Sequence, residues 1–141
     1  MKDLDWSNLS FGYRQTDYNV RCYYRDGKWG EIEVCSDEYL KLHMAATCLH
    51  YGQEAFEGLK AYRCPDGKVR VFRMDENAKR LQSTCRGILM PEVPTEMFEE
   101  MVKKVVRLNQ EWIPTYESGA TLYIRPLLIG TSAQVGVHPS K

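Results

Sequence analysis

Phe98, Met101, Val102, Val105, Leu108 and Trp112 recur at three- and four-residue spacing. That spacing lays one apolar stripe along a helix that begins at Thr95 and is stopped by Pro114. Opposite the stripe, Glu99 precedes Lys103 and Glu100 precedes Lys104 at the i,i+4 spacing that supports an exposed helical face. A second helix is expected upstream, with Asp75 as its N-cap, Leu81, Cys85, Ile88 and Leu89 as its apolar face, and Pro91 as its stop. Elsewhere the period is two. Residues 16–24 are rich in β-formers, Asp26-Gly27 supplies a tight turn, and residues 30–34 read as the returning strand. Residues 40–49 carry a loose helical pattern. Residues 54–63 alternate and meet a second turn at Pro65-Asp66-Gly67, with 69–72 as partner strand. Residues 119–130 read as one mostly apolar, buried strand, and 131–141 as irregular. This order predicts an α+β fold, a mostly antiparallel sheet with helices packed against it, in one domain covering residues 1–141.

Composition narrows the class. With 43% hydrophobic and 27% charged residues, the chain has the make-up of a globular domain rather than a disordered one. Nineteen basic residues balance 19 acidic ones, and no basic cluster is interleaved with aromatics, so no nucleic-acid partner is expected. No run approaches the ~20 apolar residues needed to cross a bilayer. The first eight residues are polar and acidic, which leads us to expect a cytoplasmic protein without a membrane partner. The five cysteines lie far apart, with no C-x-x-C and no histidine at ligand spacing, so free thiols and no metal site are expected.

Two arginines are candidates for chemistry. Along a strand Tyr123 and Arg125 share one face, while Leu122, Ile124 and Leu128 share the other. A guanidinium on an apolar strand is costly to bury without an anion. Its partner could be a ligand carboxylate, with the Tyr123 phenol as a second donor, or a carboxylate of the fold such as Glu54 or Glu57. Arg80, in Asn77-Ala78-Lys79-Arg80, suits a phosphate, although most helical arginines are simply solvated. Lys60 lies among alternating residues with Phe56 and Tyr62, and nothing nearby marks it as desolvated for covalent chemistry. Tyr51 and Phe56 suit either a pocket wall or the core. His43, His50 and His138 are scattered without triad partners, and no glycine-rich phosphate loop is present.

Several runs nevertheless resemble one family. Leu49-His50-Tyr51-Gly52-Gln53-Glu54-Ala55-Phe56-Glu57-Gly58-Leu59-Lys60-Ala61-Tyr62-Arg63 and Leu122-Tyr123-Ile124-Arg125-Pro126 with Ile129-Gly130-Thr131 are similar to signatures of branched-chain amino-acid aminotransferases. Asn77-Ala78-Lys79-Arg80, Gln110-Glu111-Trp112-Ile113-Pro114 and Val135-Gly136-Val137 match in the same order. These are fold-type IV enzymes that hold pyridoxal 5′-phosphate between a small N-terminal α+β domain and a larger C-terminal one. The resemblance implies that Arg80 contacts the cofactor phosphate and that Phe11, Tyr51, Phe56, Tyr123 and Arg125 line the substrate side. It implies that Val135 and Val137 reach the partner subunit's pocket in a homodimer. The complete enzyme would move the amino group of leucine, isoleucine or valine to 2-oxoglutarate.

In that family the cofactor-bearing lysine, the acid at the pyridine nitrogen and a second phosphate loop belong to the large domain. The 141 residues are therefore expected to be the small domain alone, with no catalytic residue, no turnover and no bound cofactor of their own. Lys60 falls where the family has no catalytic lysine. A free-standing, non-catalytic binding or assembly module is the alternative of a different class. D-amino-acid aminotransferase and aminodeoxychorismate lyase share the fold, but Phe56-Glu57-Gly58 and Tyr123-Ile124-Arg125-Pro126 favour the branched-chain group.

Overall fold

In the computed structural model, which describes residues 1–141, β1 (Asn19–Arg21) and β2 (Tyr24–Arg25) lead into the first turn. There Asp26 and Gly27 both take positive φ, 52° and 78°, the requirement of a two-residue hairpin turn whose twist matches its strands. β3 (Lys28–Trp29) and β4 (Glu33–Cys35) return, giving two nested antiparallel pairs, β2 with β3 and β1 with β4. The helix expected over residues 40–49 is much shorter and later: α1 (Thr47–Tyr51) ends at Gly52, whose φ is 59°. Leu40 and Met44 are exposed, so the upstream pattern has no apolar surface to pack on, and a helix without packing is not held.

The alternating residues 54–63 divide into β5 (Glu54–Phe56) and β6 (Leu59–Arg63), with β7 (Val69–Val71) antiparallel to β6. The strand expected over 119–130 likewise divides, into β8 (Leu122–Ile124) and β9 (Leu127–Ile129), and it is half-buried rather than buried. One cause serves both breaks. Phe56 lies opposite Leu127 and Leu59 opposite Ile124, so a single antiparallel register runs through, interrupted where Glu57-Gly58 faces Arg125-Pro126. Proline has no N–H to give the ladder there. Its carbonyl still accepts the Glu57 N–H at 3.0 Å. The side-chain alternation survives the gap: Ala55, Glu57, Leu59 and Ala61 point inward, while Phe56, Lys60 and Tyr62 stay exposed.

Two helices cover the inner face. α2 (Met74–Gly87) starts one residue before its expected N-cap: Arg73 occupies that position at φ 46°, and Asp75 lies inside the first turn. The Glu76 N–H donates to the Arg73 carbonyl at 3.1 Å, which closes that turn without a side-chain cap. Asp75 and Glu76 instead place negative charge at the positive end of the helix and pair with Lys79. Leu81 and Cys85 are buried as expected, but Leu89 lies beyond the helix, at φ 56°, and is exposed.

α3 (Thr95–Leu108) carries Phe98, Val102 and Val106 into the core. Glu99 and Lys103 pair at 3.2 Å, whereas Glu100 and Lys104 do not. This helix ends before Trp112 at Asn109, a buried C-terminal cap whose side chain bonds both the last turn of the helix and the distant Tyr18. Its Oδ1 accepts the Tyr18 N–H at 3.1 Å, and its Nδ2 donates to the carbonyls of Tyr18 and Val105 at 3.0 and 2.8 Å. Gln110–Trp112 then forms a short 3-10 turn. Ala55, Leu59, Ala61 and Ile124 from the sheet meet Ala78, Leu81, Cys85, Phe98, Val102 and Val106 from the helices, with Ile113 closing the core. All five cysteines are free. No helix is long and apolar enough to cross a membrane. The architecture is the expected α+β one, and the sheet face away from the helices remains open.

Candidate functional site

The open face is where Arg125 stands. As the alternation predicts, Tyr123 and Arg125 project to the same side, and Arg125 donates its Nε–H and an Nη2–H to the Tyr123 hydroxyl at 3.2 and 3.0 Å. Its guanidinium carbon lies 4.2 Å from the centre of the Phe56 ring, a cation–π arrangement that keeps the charge against an apolar surface. Phe11 meets Tyr123 edge-on, with ring centres 5.2 Å apart at 86°. Lys60 lies directly opposite Tyr123 in the ladder. Phe11, Phe56, Tyr123 and Arg125 therefore form one cluster, exposed on its outer side. The Arg125 Nη1 donors have no partner in the fold, which leaves them for an anion arriving from solvent.

Gly58 makes this arrangement possible. A Cβ added there would overlap the Tyr123 hydroxyl and come within 3.1 Å of its Cζ. The phenol thus lies across a position where any larger residue would stand. The sequence does mark this glycine, but only knowledge of which strand faces it says why it is needed.

On the helix side of the same strand, Glu57 is 4% exposed. Its Oε1 accepts the Arg80 Nε–H at 2.8 Å, and its Oε2 accepts an Arg80 Nη2–H at 2.6 Å and the Asn77 amide at 2.8 Å. Burial pushes this carboxyl up, but the Arg80 and Asn77 hydrogen bonds outweigh it and hold the group below the ordinary glutamate range. Glu57 was one of the two fold carboxylates considered for Arg125; it belongs to Arg80 instead, and Arg125 rests on an aromatic ring. Arg80 is accordingly not a freely solvated helical arginine. Its side chain is 68% exposed and gives two of its five N–H donors to Glu57, leaving three without a partner in the fold. That donor set fits a phosphate: a rigid fork, anchored from behind, with free donors in front.

The remaining candidates make no ring contact or hydrogen bond with the Arg125 cluster. Tyr51, at the end of α1, keeps the His50 ring 6.3 Å away and makes no aromatic contact with Phe56 or Tyr123. Val135 and Val137 project from the 131–141 segment into solvent, 79% and 87% exposed. Gln53, whose side chain bonds the Ile88 carbonyl and the Ser140 N–H, is not legible as an anchor in the sequence because both partners are distant along the chain.

A search against family models matches none. Similarity to individual proteins is high. A branched-chain-amino-acid aminotransferase of Haemophilus influenzae is 53% identical over 137 residues, covering 97% of this chain and 40% of that protein. The crystal structure of the Escherichia coli branched-chain amino acid aminotransferase superposes with a TM-score of 0.66 at 27% identity, over 88% of this chain and 35% of that one. A T.th. branched-chain amino acid aminotransferase solved with pyridoxamine 5′-phosphate superposes at 0.62 with 30% identity, over 75% of this chain and 32% of that one. The chain spans about two fifths of the length of the curated relatives it matches.

Proposed function

We propose, from a chain that belongs with the branched-chain amino-acid aminotransferases and spans about two fifths of their length, that it is the substrate-side small domain of such an enzyme. The complete protein transfers the amino group of leucine, isoleucine or valine to 2-oxoglutarate as a cytoplasmic homodimer. The catalytic lysine comes from a second domain outside these 141 residues. The observation that carries the reading is the Arg125 guanidinium, held by Phe56 and Tyr123 on the open sheet face with donors to spare.

When bound between the two domains, pyridoxal 5′-phosphate supplies the electron sink that amino-group transfer needs. Everything else in this part of the site is the work of the chain. Arg80 would offer its remaining N–H donors to the phosphate, while Glu57, itself held by the Asn77 amide, keeps the guanidinium plane from turning. Phe11 and Phe56 present apolar surface to a branched aliphatic side chain, and Tyr51 would extend that wall. The distal carboxylate of glutamate or 2-oxoglutarate takes the free donors of Arg125 instead, so one pocket serves an apolar and an anionic side chain in turn. Val135 and Val137 add apolar surface to the pocket of the partner subunit. The second domain covers the open face and excludes water, which strengthens each charged contact. Lys60 has no covalent part in this scheme.

Activity of the whole protein and of residues 1–141 alone tests the proposal. The whole protein should convert leucine and 2-oxoglutarate, and the chain alone should give no turnover even with added cofactor. Borohydride trapping of the cofactor on Lys60 would overturn the assignment of roles.

A further inference from the structure

Gln53 holds both ends of one loop. Its main-chain carbonyl accepts the Gly130 N–H at 2.9 Å, where β9 finishes. Its side-chain Oε1 accepts the Ser140 N–H, also at 2.9 Å. The nine residues between Gly130 and Ser140 thus leave and return to a single side chain and its own backbone. The amide nitrogen points the other way and donates to the Ile88 carbonyl, just past α2, at 3.1 Å. Because the oxygen meets an N–H and the nitrogen meets a carbonyl, the two partners fix the orientation of the amide.

The base of the loop is tightly filled. A Cβ on Gly130 would overlap Thr47 Oγ1 and come 2.6 Å from Gln53 Oε1 and 3.1 Å from Ser140 Cβ. The Cys48 N–H donates to the Gly130 carbonyl, the Gln134 N–H to the Ala45 carbonyl, and Ala46 bridges Ala133, so one flank is tied to α1. Ser140 and Ser132 join hydroxyls at 2.9 Å across the neck. Val135 and Val137 remain in solvent at the tip. This is a compact surface loop with converging ends, ordered at its base and apolar at its exposed end.

We infer that Gln53 is a positioning residue: its side chain latches the 130–140 loop so that Val135 and Val137 are presented, already ordered, to the substrate pocket of the partner subunit. The inference rests on the reading of those two valines given above. A latched loop does not have to lose its freedom when substrate binds, so removing the latch weakens substrate binding more than it slows the reacting step.

The test uses the whole protein. Gln53→Met keeps the bulk of the side chain and removes both polar ends, and Gln53→Ala is a second route to the same loss if the first does not accumulate. Gln53→Glu keeps the acceptor for Ser140. Hydrogen exchange read by mass spectrometry should speed up about tenfold in peptides covering 130–140 for Gln53→Met, with α3 peptides unchanged. Its leucine KM should rise by about tenfold with kcat within about twofold. Gln53→Glu should exchange more slowly at Ser140 than Gln53→Met. Unchanged loop exchange in Gln53→Met would overturn the latch. Faster exchange with an unchanged leucine KM would overturn the positioning role. If Val135→Ala and Val137→Ala then also left KM unchanged, the failure would lie in the reading of the valines rather than in the latch.

Discussion

Arg80 and Glu57 meet fork to fork, with Nε and Nη2 each giving a hydrogen to a different oxygen of one buried carboxylate, at 2.8 and 2.6 Å. The pair joins helix α2 to the gap between β5 and β6, 23 residues earlier in the chain. Lysine keeps the charge of arginine but cannot satisfy that carboxylate bidentately and still face outward with spare donors. Arg80→Lys in the whole protein should weaken retention of pyridoxal 5′-phosphate by about tenfold or more, as a lost charge-assisted contact would. Fluorescence titration of the cofactor into the apo-protein measures this. Equal affinity for both proteins would remove Arg80 from the phosphate.

Acid should reveal the same pair. The folded protein holds the Glu57 carboxyl below its ordinary value, so the unfolded chain binds the proton more readily. Its stabilisation is therefore present above the unfolded glutamate pKa of about 4.3 and is lost as pH falls through the lower folded value. Urea unfolding of wild type and Glu57→Gln should differ most at neutral pH, and the difference should shrink as pH falls below the unfolded glutamate value and vanish below the lower folded one. A difference independent of pH would mean that the loss is one of packing and not of the ionised carboxylate.

Arg125 lets the two amino-donor half-reactions be separated. Replacing it with methionine removes a charge-assisted hydrogen bond to a distal carboxylate, worth roughly 1.5–3 kcal/mol. The efficiency of the glutamate half-reaction should fall by about tenfold or more, since each 1.36 kcal/mol is a factor of ten. The leucine half-reaction should fall less, because its side chain presents no charge. Stopped-flow absorbance of the cofactor follows each half-reaction alone. Equal losses would place Arg125 at the shared α-carboxylate or in the fold.

Gly58→Ala should act through Tyr123. The added methyl overlaps the phenol hydroxyl and approaches Cζ to 3.1 Å, so the ring must move or the strand must bend. Overpacking of this kind costs about 1–3 kcal/mol. In a Tyr123→Phe background the first overlap is gone, and the same substitution should cost less by at least about 0.5 kcal/mol, the range of coupling for residues in contact. A double-mutant cycle of urea unfolding free energies reads that coupling. Strict additivity would show that the phenol has room elsewhere.

Much of this molecule was determined by local pattern. Asp26-Gly27 turned the first hairpin because its φ requirement is met within two residues. The stripe through Phe98 and Val102 named the buried face of α3, and alternation put Tyr123 beside Arg125, because those periods are properties of a backbone segment by itself. Which carboxylate each arginine meets is another kind of question. On sequence grounds Glu57 stands only as a candidate partner for Arg125, and the packing of α2 against β5 gives it to Arg80. Pro126 was visible as a residue, but its effect on Glu57-Gly58 needed the register of two segments some 70 residues apart. Asn109 caps α3 and reaches Tyr18, and Gln53 closes a loop by reaching Ser140, across 91 and 87 residues. A buried polar group must find a partner wherever the fold brings one, and no periodicity along the chain encodes which one arrives.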